Sequence, residues 1–272
     1  GNNMSFTLFK DTFKRSWKLL LIFACVLCLY LGVIISLIDP QDMAQVRELY
    51  GTMGGFMDAF GIDISAMTDP LAYTASTFYA LIVMIFTMVF YVIQNMSLIA
   101  KHVDTGSMAY TLSMPISRTK VALTQGIYLI FAMAVHAVLM FAVGAGILST
   151  MSDYLQTDWL FAYLNLVAVT FLLTTMVAML SYFFSVAFCD SKLGTGLAAG
   201  VPIALVVINM LGGVGGQQTE FLTKLSPFGW LDSVGIVNGS VETLWAYLVF
   251  SGAIIVLLCA SAFVFSKKRL PI

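Results

Sequence analysis

The stretch that decides the fold reads WLFAYLNLVAVTFLLTTMVAMLSYFFSVAFC, from Trp159 to Cys189, and it contains no Asp, Glu, Lys or Arg. A helix that crosses the hydrocarbon core of a bilayer needs about 20 consecutive, mainly apolar residues. The stretch exceeds that length, and a helix made from it has no charged face to turn toward water. It therefore predicts a transmembrane helix.

Five further stretches have the same character, and Lys18, at the start of the first, is the one charged residue in them. They are Trp17–Ile38, Tyr73–Ala100, Val121–Thr150, Gly194–Leu211 and Leu244–Phe265. Hydrophobic residues make up 60% of the chain and charged residues 10%, whereas soluble domains carry about 25% charged residues. The sequence predicts an all-α membrane protein with six transmembrane helices, forming a single domain over residues 1–272.

The basic residues are sorted to one side of these stretches. The two ends and the second and fourth connections carry 11 of the 13 Lys and Arg, and the other side holds Arg47 and Lys224. Only Asp11, Asp104 and Asp190 of the 14 acidic residues fall on the basic side. By the positive-inside rule both termini are cytoplasmic. This pattern predicts a multi-pass protein of a bacterial cytoplasmic (inner) membrane, and a net charge of −1 gives no support for a nucleic-acid partner.

A basic amphipathic segment precedes the first stretch. Its aromatic residues recur along one side of a helix: Phe6, Phe9, Phe13 and Trp17. Four basic residues cover the rest of its surface, and a helix of this kind lies flat in the membrane interface. Residues 4–17 are predicted to form an N-terminal amphipathic elbow helix, either as a simple anchor or also as a brace for a cytoplasmic partner.

The few polar side chains within the predicted spans include Gln94, Asn95, His136, Asn165 and Asn209. Amides in such positions commonly form hydrogen bonds between helices. His136 is the one whose charge changes near neutral pH, with ordinary packing or a proton relay as the alternatives. The lack of a mid-membrane charge argues against an ion-coupled secondary transporter. The lack of a His/Glu cluster or a Ser–His pair argues against an intramembrane enzyme or a metal site, and no cofactor is expected in this chain.

The fifth stretch has its own signature. Gly196 and Gly200 are four residues apart, a spacing that lets another helix approach closely. Pro202 removes a backbone donor and bends the helix. Gly196, Gly200 and Pro202 predict a helix seam, meaning a close contact between two helices, either within the chain or between subunits.

The two long outer connections differ in character. Residues 39–72 are acidic, which favours a solvated surface, although Met43–Phe60 has enough apolar residues for an interfacial helix. Residues 212–243 begin with a glycine run that permits a sharp helix end. Aromatic residues follow that run and give this connection a candidate re-entrant segment at the outer interface.

The most distinctive segment lies in the second connection and reads DTGSMAYTLSMPISR, from Asp104 to Arg118. Its first two residues can cap a short helix with an apolar side, a proline ends that helix, and Ser117 can cap the next span. The residues on which this interpretation depends are Asp104, Thr105, Met108, Tyr110, Leu112 and Pro115. Such a helix would act as a lever on two long membrane helices, and a plain turn between spans is the alternative.

This loop resembles the loop of the type 2 ABC-transporter permeases. Those proteins carry an acidic-x-Gly segment, a Leu-Ser pair and then Pro-[Val/Ile]-Ser-Arg, which correspond to Asp104–Gly106, Leu112–Ser113 and Pro115–Arg118. The C-terminal FSKKRLPI is similar to the family's Phe-x-Lys-Arg-Asp-Leu-Pro ending, with Arg269 where Asp is usual. Within the family, the chain is most similar to the permeases of exporters for amphipathic peptides, such as phenol-soluble modulins.

The resemblance implies a type V exporter fold, in which two permease chains, identical or sister, sit on two ABC ATPase subunits. The family's coupling helix corresponds to residues 103–114 and docks on the ATPase. ATP and Mg would be held by that ATPase, since this chain has no Gly-Lys-Ser/Thr of the Walker type, and the chain itself is not expected to be an enzyme. The implied cargo is an amphipathic peptide, such as a toxin or an antimicrobial peptide, or a hydrophobic small molecule.

Two other classes of function stay open. A non-transporting membrane anchor or sensor for a cytoplasmic partner would explain the inner loop equally well. A channel or secondary transporter would need a mid-membrane charge or a polar stripe along several spans, and the sequence offers neither.

Overall fold

The computed structural model describes residues 6–39, 43–59, 69–100, 117–188, 191–214 and 219–267. Within these ranges every regular element is helical, and six spans are long and apolar enough to cross a membrane. The predicted all-α class with six candidate transmembrane helices is confirmed.

The helices follow one another in chain order. The first span is α1 (Phe6–Ser36), and two short helices on the outer side follow it, α2 (Met43–Gly51) and α3 (Gly54–Ala59). The second span joins α4 (Pro70–Thr74), a π-helix (Ala75–Ile82), α5 (Val83–Asn95) and a second π-helix (Met96–Ala100). The third and fourth spans are α6 (Arg118–Leu148), with a 3₁₀ turn at Ser149–Tyr154, and α7 (Trp159–Ala187). The remaining elements are α8 (Ser191–Val214), α9 (Glu220–Leu225), a 3₁₀ turn (Pro227–Trp230), α10 (Ser233–Val237) and α11 (Leu244–Lys267).

The second span departs from a regular α-helix at two places. The amide of Val83 donates to the carbonyl of Phe78, five residues back, whereas an α-helical amide bonds four residues back. π-helical turns are rare and occur frequently at functional sites. The second one, Met96–Ala100, forms the inner end of the span and leads into the loop that resembles the permease family.

The fourth span, α7, lies at the centre of the bundle. Its most apolar window is 67% buried, against 28% for α1 and 17% for α8. Buried tyrosines fix it to its neighbours: the hydroxyl of Tyr182 donates to the carbonyl of Ala122 at 2.8 Å, and that of Tyr163 donates to the carbonyl of Met140 at 2.9 Å. The Tyr163 hydroxyl also lies 2.7 Å from the hydroxyl of Tyr79. Because a buried tyrosine needs a partner for its hydroxyl, these bonds specify how α7 sits against the second and third spans.

The segment predicted as an elbow forms the first turns of α1, in one helix with the first span. Residues 4 and 5 lie outside the described residues. The ring of Phe9 packs edge-on against Tyr128 and Phe131 of α6, and that of Phe13 also packs against Phe131. Phe6 and Trp17 are 71% and 43% exposed. The aromatic stripe is therefore divided between contacts with the third span and open surface, and its interfacial position stays a prediction.

The second long outer connection folds back along α8. The hydroxyl of Ser226 donates to the carbonyl of Leu205 at 2.8 Å, and Leu205 lies about 14 Å along the helix from its outer end at Val214. Phe228, two residues after Ser226, is buried, with 3% exposure. The ring of Trp230 stacks on the ring of Phe250 in α11, with 6.4 Å between the two ring centroids. Residues 219–237 thus return toward the bundle, as the candidate re-entrant segment requires.

Candidate functional site

The residues predicted to contact an ATPase lie outside the described residues: Asp104, Thr105, Met108, Tyr110, Leu112 and Pro115. The structure describes both flanks of their loop. On one side is the inner end of the second span. On the other, Ser117 caps α6, because its hydroxyl accepts a hydrogen bond from the amide of Lys120 at 3.3 Å. The predicted cap at the start of the third span is confirmed.

A buried polar cluster occupies the inner end of the second span. The side-chain amide of Asn95 donates to the hydroxyl of Ser181 at 2.9 Å and to the carbonyl of Ala178 at 3.3 Å, both in α7. Ser181 in turn donates to the carbonyl of Ala198 in α8 at 2.7 Å. The hydroxyl of Ser185 donates to the main-chain carbonyl of Asn95 at 3.4 Å. One asparagine therefore joins the second span to the fourth and, through Ser181, to the fifth.

The preceding residue links the same turn to the first span. The side-chain amide of Gln94 donates to the hydroxyl of Ser16 in α1 at 2.9 Å and lies 3.4 Å from that of Ser97. Both Gln94 and Asn95 have 0% exposure. Hydrogen bonds between transmembrane helices average about 0.6 kcal/mol and reach about 1.7 kcal/mol. Four spans are thus held together just before the loop, and the predicted use of these amides between helices is confirmed.

Two hydrogen-bond acceptors of the cluster have no partner among the described residues. The side-chain carbonyl oxygens of Gln94 and Asn95 are buried and form no hydrogen bond with the residues that the structure describes. A buried polar group usually has a partner, and a cluster with unused acceptors can exchange one bond for another without exposing a charge.

The serines of the cluster were not among the predicted site residues. Ser181 and Ser185 lie one turn apart on α7, and both point toward Asn95. Thr170 and Thr174 of the same span are also hydroxyls four residues apart, so the spacing alone does not mark Ser181 and Ser185. Ser16 has no distinguishing signal either, since it lies in a basic segment where polar residues are expected.

His136 is buried, with 1% exposure, and its ring packs edge-on against Phe90 at 4.5 Å between centroids. Within the described ranges it forms no hydrogen bond with a carboxylate, and no group of three or more potential metal ligands occurs there. Cys25, Cys28 and Cys259 are free thiols. His136 thus has the contacts expected of a packed aromatic side chain.

Two of the three predicted seam residues of α8, Gly196 and Gly200, do not meet another helix within the described part of the chain. A Cβ atom added at Gly196 or Gly200 would have no neighbour within 4 Å in the described structure. Pro202 is buried, and α8 continues through it to Val214. The same open side of α8 bears five large apolar residues that are 46–63% exposed: Leu193, Ile203, Val207, Leu211 and Val214. A seam within the described part of the chain is excluded at the two glycines, and a seam between subunits stays a prediction.

A narrow cleft opens between the second span and α8. Met84 and Ile85 line one side, and Val206, Asn209 and Met210 line the other. Its volume is about 20 Å³, which is room for a single water molecule. The buried side-chain oxygen of Asn209 forms no hydrogen bond with the described residues. The cleft is too small for a peptide.

No protein-family model matches the chain, and no curated protein matches it. Its function must therefore be inferred from the residues and from the geometry.

Proposed function

We propose that this multi-pass membrane protein is the membrane-spanning permease subunit of an ATP-driven ABC exporter. The observation that carries the proposal is the buried cluster around Gln94 and Asn95. It holds the end of the second span to three other spans immediately before the loop that resembles the family's coupling loop. A displacement applied to that loop would reach all four spans together.

The proposed source of energy is a separate ABC ATPase, in two copies, that binds ATP and Mg. Its contact is the helix at residues 103–114, with Met108 and Leu112 on one side of it and Tyr110 as a further predicted contact residue. The sequence is consistent with energy supplied by a partner in the cytoplasm, since the predicted spans contain no Asp or Glu that could bind a driving ion.

The proposed second partner is another permease chain, the same or a sister, seated on the open side of α8. That side spans the length of a 24-residue helix, and the two glycines remove bulk where two backbones would approach. The exposed sides of α1 and α11 also carry large side chains, such as Leu29 and Val256, but neither helix has two glycines four residues apart.

The proposed cargo is an amphipathic peptide or a hydrophobic small molecule that leaves the cytoplasm. Between two copies, the spans would offer a surface of Met, Phe and small residues. Met is adaptable enough to fit ligands of varied shape.

The test of this function is purification of the tagged chain from its native membranes in a mild detergent, followed by assay of ATP hydrolysis. We expect an ATPase to co-purify and an added amphipathic peptide to stimulate it. Co-purification without stimulation by any cargo would favour the anchor or sensor. A preparation that contains this chain alone and hydrolyses no ATP in several detergents would contradict the proposal.

The dimer seam gives a separate prediction. Replacing Gly196 and Gly200 together with Leu is expected to lower the fraction of dimer in liposomes about tenfold or more, because bulk at both positions holds the two backbones apart. The dimer fraction can be measured by energy transfer between labelled chains. Gly252→Leu is the matched control, since Gly252 on α11 also has open space around it. An unchanged dimer fraction in the double variant would remove this side of α8 from the interface.

A further inference from the structure

The first outer connection is acidic overall, but one side of its helix α2 is apolar. On α2 and the turn after it, Val46, Leu49, Tyr50 and Met53 follow the i, i+3, i+4, i+7 pattern of one helix face. Leu49 is 65% exposed and Met53 48%. Arg47 lies about 160° around α2 from Leu49 and about 120° from Met53. The segment is therefore amphipathic, and Leu49 and Met53 are uncovered in the described structure.

The same segment is fixed to the membrane-spanning bundle. The hydroxyl of Tyr50 lies 2.9 Å from that of Tyr73, in the first turn of the second span, and the two rings meet edge-on at 5.9 Å. Met57 of α3 is 7% exposed and packs with Tyr50, Tyr73 and Leu81. Because α3 also contacts α8, the segment has little freedom to rise into the solvent.

These anchors place the segment at the depth of the bilayer. The second span, Pro70–Leu98, has 29 residues and is about 40 Å long at 1.5 Å per residue, whereas the hydrocarbon core is about 30 Å thick. If the span is centred, about 5 Å extends beyond the core on each side. Leu81 lies about 15 Å along the helix from Pro70, which is below the outer boundary of the hydrocarbon. A segment that reaches Leu81 through Met57 therefore lies in the interface.

We propose that α2 and α3 form a lipid-binding surface, with Leu49 and Met53 among the acyl chains of the outer leaflet and Arg47 in the headgroup layer. Amphipathic helices at a membrane surface bury their apolar side about 5–10 Å into the boundary between headgroups and acyl chains. The contacts of Met57 with Tyr73 and Leu81 hold the segment beside the part of the second span that would lie at this boundary. The connection carries six acidic residues and Arg47 as its one basic residue. Zwitterionic lipids are therefore the partner of matching charge, because anionic headgroups would be repelled. This inference is independent of the proposed transport function.

Nitroxide accessibility tests the lipid contact in the full chain. The four cysteines, Cys25, Cys28, Cys189 and Cys259, are first replaced by Ala, and a single spin label is then attached at L49C, at M53C or at the matched control R47C. Each protein is reconstituted in phosphatidylcholine vesicles, and its collision rates with oxygen, which concentrates in acyl chains, and with a water-soluble nickel chelate are compared.

We expect the oxygen-to-nickel ratio at positions 49 and 53 to exceed that at position 47 by about threefold or more, because the first two labels lie among acyl chains. Equal ratios at all three positions would overturn the proposal in favour of a solvated surface. Low collision rates with both reagents at positions 49 and 53 would also overturn it, because they would show that protein, such as a second copy of the chain, covers this side. All three positions are exposed, so a label there leaves the packing intact, and an unchanged gel-filtration profile verifies this.

Discussion

Replacing Leu112 with Asp is expected to abolish the co-purification of an ATPase and to lower cargo-stimulated ATP hydrolysis about tenfold or more. In the proposed complex this side chain lies on the apolar side of the coupling helix. An unpaired carboxylate in an apolar contact costs several kcal/mol, which exceeds what the rest of one short helix can offset. The measurement is a pull-down from membranes that express the variant, followed by an ATPase assay with and without an amphipathic peptide.

The control is Ser113→Asp, which adds the same charge one residue later and about 100° around the helix. It should keep the greater part of the activity. Both variants should elute from gel filtration as the parent does, because the membrane domain is not altered. Full activity in Leu112→Asp, and in Met108→Asp one turn earlier, would remove this helix from the mechanism.

The Gly144→Ala variant is expected to destabilise the bundle by about 1–3 kcal/mol, because it overfills a packed site. An added Cβ atom would overlap the hydroxyl of Tyr163 and lie 2.6 Å from the Cζ atom of its ring. That ring cannot move aside cheaply, since its hydroxyl is bonded to the Met140 carbonyl and to Tyr79, and its face stacks on Phe141 at 5.6 Å. The thermal midpoint in detergent should fall by roughly 2–12 °C.

A neighbouring glycine provides the matched control. A Cβ atom at Gly146, two residues along the same helix, would meet no atom within 4 Å. Since Ala is favoured over Gly in a helix by about 0.5–1 kcal/mol, Gly146→Ala should leave the midpoint unchanged or raise it. Equal midpoints for the two variants would show that the contact between Gly144 and Tyr163 is not tight in solution.

The spans could be predicted from the sequence because their signal is local. The length of each apolar stretch predicts a span, and the charges at its ends predict its orientation. The structure has long helices over all six stretches. The capping serine at position 117 is equally local, since the hydroxyl bonds an amide three residues away. The amides at positions 94 and 95 stood out because a polar side chain is costly in a membrane.

What the sequence could not supply depends on contacts between distant residues. Nothing near Gly144 shows that Tyr163 will lie against it, and nothing near Gly196 shows that its side of α8 stays open. The π-helical turns likewise have no composition that marks them. The outer segment was expected to be solvated because its acids are visible in the sequence, whereas its anchors at Tyr73 and Leu81 follow only from the fold.

The two π-helical stretches give the second span an adjustable register. Each π-turn holds about one residue more than an α-turn, as the bond from Val83 to Phe78 illustrates. Return of one stretch to α-helix would release a residue, advance the inner end of the span by about 1.5 Å and rotate every later side chain by about 100°. Asn95 would then turn away from Ser181, and its side-chain amide would be free to donate to a buried acceptor that has no partner among the described residues in the present arrangement. The second span thus has two possible arrangements of its inner end, which differ by a shift along the helix axis and a rotation around it.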